Sequence, residues 1–178
     1  MRAAIRFSDR LTTVSPTYAE ELQTDDEMAH GLRDAFREAS GKFSGIVNGV
    51  DAADWNPATD RHLPATYSAD NLSGKAETRR AVCARLRLDA DRPLLTFVGR
   101  LTREKGAEIL PGLARRVLRE TDAALAILGT GAPEHEAALR DLHETAEAGR
   151  LAVVLAFDNA LAHQLYAAGD FFLMPSRS

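Results

Sequence analysis

The sequence has few of the features that mark secreted, membrane or nucleic-acid-binding proteins. It contains one cysteine in 178 residues, so no disulfide can form within the chain. No apolar run approaches the roughly 20 residues that cross a bilayer, and the N-terminus shows no apolar core of a signal peptide. The net charge of −4 argues against a general nucleic-acid surface. Together these absences predict a cytoplasmic protein with no membrane and no nucleic-acid partner.

Metal-binding patterns are also scarce. Cys83 is the only cysteine, and no spacing of cysteine and histidine is typical of a zinc site. We interpret Cys83 as a buried structural thiol. We expect His163 to be a packing or surface residue and the other histidines to be surface residues. The sequence therefore predicts no metal site.

The second half of the chain alternates apolar runs with amphipathic stretches. The predicted strands cover residues 94–98, 123–128, 151–157 and 171–174. The predicted helices between them cover residues 108–119, 134–148 and 161–168. This spacing of strands and helices is typical of an α/β fold with a doubly wound parallel sheet.

The first half is less regular. A strand is predicted at residues 10–14, and Ser15 and Pro16 are suited to begin a helix behind it. A second helix is predicted over about residues 27–40, and a strand over residues 43–47. Residues 51–70 show little periodicity and are interpreted as an ordered linker between two domains, followed by a helix over residues 72–88.

The loop after residues 94–98 carries two cations, Arg100 and Lys105, behind Gly99. The carboxyl ends of parallel strands are where open α/β sheets bind ligands. A guanidinium can bind a diphosphate bidentately, and an ammonium can contact it as a point charge. The pattern indicates a phosphate clamp, although two solvated loop cations would read the same way.

Two other predicted strand ends carry residues suited to a nucleotide. Gly129, Thr130 and Gly131 follow one strand, and Phe157 ends the next. A glycine loop lets a ribose or base approach the backbone, but the same glycines can serve only as turn residues. The Phe157 ring can stack on or border an adenine.

Segments along almost the whole chain resemble bacterial glycogen synthase and plant starch synthase, and they occur in the family's order. The most specific are the Trp55-Asn56-Pro57 segment and the Pro175-Ser176-Arg177 segment, which are not general features of α/β proteins. The segments are TTVSPTYAEE (12–21), NGVD (48–51), WNPATD (55–60), RLT (100–102) with KG (105–106), ALAH (160–163) and FFLMPSR (171–177).

The resemblance implies a GT-B fold, in which two Rossmann-like domains face a cleft. It implies transfer of glucose from ADP-glucose to the non-reducing end of an α-1,4-glucan primer, with retention. The resemblance implies no metal. It also implies no cofactor, since ADP-glucose counts as a substrate. Residues 1–50 would be the end of the first domain, 51–90 the linker and its helix, and 91–178 the first half of the second domain.

The resemblance also implies roles for individual residues. Arg100 and Lys105 match the catalytic cations that stabilise charge growing on the departing ADP. Asn48 matches an asparagine that faces the donor near the domain junction, and Phe157 takes a position usually held by tyrosine near the adenine. The full set expected to bind the donor substrate is Asn48, Gly99, Gly129, Thr130, Gly131 and Phe157.

Some of the family's features are missing from this chain. Ala132 stands where the family has aspartate, and neither the family's N-terminal lysine and double-glycine loop nor its Glu-Pro-Cys-Gly segment is found. We therefore expect a middle fragment that is inactive alone. Two alternatives remain open: a non-catalytic remnant that binds adenine nucleotides weakly, and a related GT-B transferase that uses another nucleotide sugar. The sequence leaves the oligomeric state open.

Overall fold

The computed structural model describes residues 1–176, which form two compact units, Met1–Asp51 and residues 52–176. Arg177, which belongs to the last of the segments that carry the resemblance, lies outside the described residues. Within residues 1–176, no helix is both long and apolar enough to cross a membrane. The assignment of residues 1–50, 51–90 and 91–178 to parts of two parent domains stays a prediction.

The first unit is a small α/β arrangement around two parallel strands. Strand β1 pairs with strand β2 in the register Leu11 with Phe43 and Thr13 with Gly45. The elements are α1 (Arg2–Phe7), β1 (Leu11–Thr13), α2 (Pro16–Thr24), α3 (Arg33–Glu38) and β2 (Phe43–Gly45). Both predicted strands are confirmed, and α1 is an addition.

The helices of this unit show where local signals hold and where they fail. Ser15 caps α2 as predicted, since its side-chain oxygen accepts a hydrogen bond from the Tyr18 N–H at 2.9 Å. The predicted helix over residues 27–40 is wrong in length. His30 and Gly31 adopt φ values of 50° and 73°, which end the turns before α3 begins at Arg33.

The second unit is built on a four-stranded parallel sheet with the strand order β5-β4-β3-β6. Its helices are α4 (Ser73–Leu86), α5 (Leu110–Glu120), α6 (Pro133–Thr145) and α7 (Asn159–Ala168). Its strands are β3 (Leu94–Val98), β4 (Ala124–Leu128), β5 (Leu151–Val154) and β6 (Phe171–Phe172). The predicted α/β class with a parallel sheet is confirmed.

Helices cover both faces of this sheet, and β4 shows how the core is divided. Ala124, Ala126 and Leu128 pack towards α4 and α7, while Leu125 and Ile127 pack towards α5 and α6. All five side chains are buried, because a central parallel strand is covered on both faces. Cys83 of α4 lies in the first of these cores, and burial raises the pKa of its thiol.

Arg150, just before β5, is a buried cation whose side chain donates hydrogen bonds to α5 and to the segment between α5 and β4. It is 6% exposed. Its Nε donates to the Ala123 carbonyl at 2.9 Å, and its Nη2 donates to the Thr121 and Leu118 carbonyls at 2.7 and 3.2 Å. The guanidinium therefore supplies hydrogen bonds to carbonyls at the end of α5 and the approach to β4.

The loops after β3 and β4 run side by side and continue the hydrogen bonding of the sheet. Gly99 N–H donates to the Leu128 carbonyl at 3.0 Å, and Leu101 N–H donates to the Thr130 carbonyl at 2.8 Å. A Cβ atom on Gly129 would lie 1.9 Å from the Gly99 carbonyl oxygen. Glycine is therefore required at 129 by the neighbouring backbone.

Strand β5 is shorter than predicted, ending at Val154 rather than at residue 157. Its last ladder bond runs from Gly129 N–H to the Val154 carbonyl at 3.1 Å. Beyond that point the chain after β4 pairs with the loop after β3, so residues 155–157 have no strand partner. Strand β6 is also shorter, covering only Phe171–Phe172.

Asp158 begins α7 and also joins it to α4. Its Oδ1 accepts a hydrogen bond from Leu161 N–H at 2.8 Å, and its Oδ2 accepts one from the Arg85 guanidinium at 2.7 Å. The Leu161 N–H, and then Arg85, lower the pKa of this carboxyl below its usual value, against the opposing effect of desolvation. The ionised form is thus the one that the fold stabilises.

Two glycine substitutions separate close backbone approach from helix propensity. Gly129→Ala is expected to destabilise the protein by about 3 kcal/mol, because the added methyl overlaps the Gly99 carbonyl. Gly112→Ala, in α5 with nothing within 4 Å of the new methyl, is expected to stabilise by about 0.5–1 kcal/mol. Urea unfolding of both variants measures these changes, and equal shifts would contradict the role of Gly129.

Removing the cap at Asp158 should produce a pH-dependent loss of stability. Asp158→Ala is expected to cost about 1 kcal/mol at pH 7. Because the folded pKa is lowered, the charge contributes fully above the ordinary pKa of about 3.9 and is lost as the pH falls through the folded value. The difference from the unsubstituted protein should therefore shrink in acid.

Urea unfolding from pH 7 down to the lowest pH at which the protein still unfolds cooperatively measures this difference. Asp158→Asn is the matched control, since an amide oxygen still caps the helix but carries no charge. A constant difference between Asp158→Ala and the unsubstituted protein at all pH values would show that the charge has no part in the cap.

Candidate functional site

A cavity of about 220 Å³ lies in the second unit at the carboxyl ends of β3, β4 and β5. It brings together five of the residues predicted from the sequence: Gly99, Arg100, Gly129, Thr130 and Phe157. The remaining lining residues are Val98, Leu128, Ala156, Asp158, Asn159 and Ala162. The position at one edge of a parallel sheet is the one that α/β proteins use for ligands.

The backbone around this cavity is held by the paired loops described above. Gly129 is buried against the loop after β3, whereas Thr130 is exposed. Gly131 does not line the cavity; its N–H donates to the Glu136 carboxylate at 2.9 Å, and a Cβ there would lie 2.1 Å from the Leu101 carbonyl oxygen. The packing of the two loops therefore accounts for both glycines without a ligand.

Arg100 and Lys105 converge on one carboxylate. Arg100 Nη2 lies 3.6 Å from Glu104 Oε2, and Lys105 Nζ lies 3.4 Å from Glu104 Oε1. Lys105 ends a short 3₁₀ turn, Arg103–Lys105, and does not line the cavity itself. Exposed ion pairs of this kind contribute little to stability, so the arrangement leaves both cations available to another anion.

Phe157 and Asp158 form the rim of the cavity on the β5 side. The Phe157 residue is 93% exposed, so its ring presents an open apolar face. Asp158 is only partly exposed, and its two oxygens are engaged by Leu161 N–H and by Arg85. The place of Asp158 just before a predicted helix is a sequence signal for such a cap.

Asn48 belongs to the first unit, Met1–Asp51, where it is exposed in the segment after β2. Asn48 is not among the residues that line the cavity in the second unit. Its contact with a donor substrate stays a prediction.

Two family models of glycosyltransferases match separate parts of the chain. A family model described as "Starch synthase catalytic domain" matches residues 1–38. A second family model, "Glycosyl transferases group 1", matches residues 92–178.

Similar proteins of known description are glycogen synthases. The chain is 47% identical to that of Streptococcus equi subsp. equi over 178 residues, which cover 99% of this chain and 37% of the relative. It is 45% identical to that of Paracidovorax citrulli, with 99% of this chain and 35% of the relative covered. The chain thus spans about 37% of the length of the first of these relatives.

Solved structures give the same result for the fold. The catalytic domain of starch synthase IV from Arabidopsis thaliana, bound to ADP and acarbose, has a TM-score of 0.89 and 36% identity, over 99% of this chain and 36% of that chain. HepE from Anabaena, in complex with UDP and glucose, has a TM-score of 0.57 and 20% identity, over 98% of this chain and 40% of that chain. The second likeness supports the fold alone.

The family predicted from the sequence segments is confirmed by these relatives and by the starch synthase structure. The chain belongs to the glycogen synthase and starch synthase family of glycosyltransferases, which have the GT-B fold.

Proposed function

We propose that this chain supplies the nucleotide-sugar site of an enzyme that transfers glucose from ADP-glucose to the non-reducing end of an α-1,4-glucan, with retention. The observation that carries the proposal is the convergence of Arg100 and Lys105 on one carboxylate beside the cavity. The similarity to glycogen synthases, and to a starch synthase bound to ADP and acarbose, supports the choice of substrates.

In this proposal the two cations act on the leaving group. The bond between the glucose anomeric carbon and the diphosphate oxygen breaks, and a new bond forms to an acceptor hydroxyl of the glucan. Negative charge grows on the departing ADP, and Arg100 and Lys105 stabilise it electrostatically. Glu104 now holds the place that an anion would take between them, and the diphosphate would replace it.

The cavity accepts the rest of the donor. Phe157 offers a ring on which adenine can stack, and the backbone at Gly99, Gly129 and Thr130 forms the opposite wall. Gly131 supports this wall through the paired loops, and we keep Asn48 as a proposed contact of the donor. The proposed enzyme acts in the cytoplasm.

No cofactor enters the proposed transfer, because the activated sugar arrives already attached to its leaving group. The positive charge that the reaction needs comes from the two side chains, so the transfer calls for no metal. The glucan primer and ADP-glucose are the proposed partners.

Replacing either cation should impair transfer severely. The test uses a chimera in which this chain replaces the matching segment of the Streptococcus equi glycogen synthase, to which it is 47% identical. In the chimera, Arg100→Ala and Lys105→Ala are each expected to lower kcat for transfer from ADP-glucose to glycogen by about 10²–10³-fold.

The matched control for that assay is Arg140→Ala, which removes an exposed arginine from α6, outside the cavity lining. It should leave the rate of the chimera unchanged. Near-normal turnover in both the Arg100 and Lys105 variants would overturn the proposed roles of these cations.

The nucleotide preference can be measured on the chain itself by calorimetric titration with ADP and with UDP. Phe157→Ala is expected to weaken ADP binding by about 5–150-fold, corresponding to the loss of one base-stacking contact. Phe7→Ala, an exposed phenylalanine of α1, is the control and should bind ADP normally. Tighter binding of UDP than ADP would favour a transferase that uses another nucleotide sugar.

A further inference from the structure

The second unit contains a cluster of two histidines and a carboxylate that the proposed transfer does not use. One potential ligand atom from each of Asp54, His62 and His163 lies within 4.8 Å of the others. Asp54 and His62 belong to the turns that precede α4, and His163 lies on α7. The sequence offers no motif for this cluster, because its members are 8 and 101 residues apart.

His163 is buried and strongly oriented. It is 1% exposed, and its Nδ1 lies 2.7 Å from Oδ2 of Asp60, which is itself 6% exposed. A carboxylate at this distance accepts a hydrogen bond. The His163 proton therefore lies on Nδ1, and Nε2 carries a lone pair. The sequence predicts that His163 is either a packing residue or a surface residue, and the structure shows that it is a packing residue.

The other ring nitrogen of His163 is the unusual atom. Nε2 is buried, and within residues 1–176 it has no hydrogen-bond partner. The Asp54 Oδ2 atom is 3.9 Å away, which is an ion-pair distance but too long for a hydrogen bond. A buried acceptor without a hydrogen bond destabilises the fold, and a positively charged group bound at Nε2 would remove that cost.

The surrounding packing holds both histidines in place. Trp55 stacks on the His163 ring with centroids 3.8 Å apart and an interplanar angle of 9°, which covers one face of the ring. The other oxygen of Asp60, Oδ1, accepts a hydrogen bond from the His62 N–H at 2.8 Å. Gln164 of α7 donates to the His62 carbonyl at 2.8 Å. The Asp60 carboxylate therefore orients the His163 imidazole and, together with Gln164, holds the backbone of His62.

We propose that Asp54, His62 and His163 bind one divalent transition-metal ion, and that zinc fits the site best. Two imidazole nitrogens and one carboxylate oxygen are a zinc-type ligand set, whereas magnesium and calcium prefer oxygen ligands alone. Asp60 supplies the carboxylate that metal-bound histidines commonly contact through their other nitrogen. Water takes the fourth position of the tetrahedron.

The metal would draw the three ligand atoms closer together than they now lie. In a tetrahedron with zinc–ligand distances of about 2.0–2.2 Å, the ligand atoms lie about 3.3–3.6 Å from one another. Asp54 Oδ2 and His163 Nε2 are now 3.9 Å apart. Asp54 can make this adjustment, since its side chain is 48% exposed and lies in a turn. The ion would join the turn that contains Trp55 to α7, and so stabilise the fold rather than take part in glucosyl transfer.

Metal binding to the full 178-residue chain tests this proposal. Zinc affinity is measured by competition with a chromophoric chelator, and Co²⁺ serves as a spectroscopic probe, because tetrahedral Co²⁺ has strong visible absorption. We expect one ion per chain, tetrahedral Co²⁺ bands and a higher melting temperature with zinc. Asp54→Asn and His62→Gln should each weaken zinc binding at least tenfold, and Asp60→Asn about 10–100-fold.

His135→Gln, which removes a histidine of α6, is the control and should bind zinc like the unsubstituted chain. His163→Ala opens a buried site and can fail to fold, so Asp54→Asn, with its half-exposed side chain, decides the question; circular dichroism checks its fold. The absence of stoichiometric zinc binding would overturn the proposal. Unchanged binding in both Asp54→Asn and His62→Gln would overturn it equally.

Discussion

The close approach of the loops after β3 and β4 is the constraint on which the candidate site depends. Hydrogen bonds from Gly99 to Leu128 and from Leu101 to Thr130 extend the parallel sheet beyond its strands. The two backbones come so near that a side chain at 129 would overlap the Gly99 carbonyl. This pairing holds the backbone on both sides of Arg100. The Arg100 side chain therefore extends from a fixed backbone position at the cavity rim.

Helix α7 connects the two clusters of chemically active residues. Its N-terminal end, with the Asp158 cap and Ala162, lines the cavity, whereas His163 is buried against the turns before α4. Neighbouring positions on a helix point in directions about 100° apart, so one short helix can serve both regions. Anything that fixes the His163 side of α7 also steadies the helix that forms one wall of the cavity.

Much of the fold could be predicted because local patterns and burial agree. The runs that became β3 and β4 are apolar at nearly every position, as expected for strands covered on both faces, and Ser15 followed by Pro16 is a local signal for a helix start. The predicted end of β5 and the predicted length of the helix before β2 are wrong. The end of β5 depends on which loop pairs with the chain after β4, and the helix length depends on the backbone conformation of His30 and Gly31.

The sequence by itself determined the family, the α/β class and the placement of Arg100 and Gly129 just after strand ends, since these follow from short segments and periodicity. Only the tertiary structure decided that Arg100 and Lys105 share Glu104 and that Asp60 meets His163 across 103 residues. The Glu104 contacts depend on the conformation of a short turn, and the contact between Asp60 and His163 depends on how the turns before α4 pack against α7. Neither contact is marked by a periodic pattern in the order of the residues.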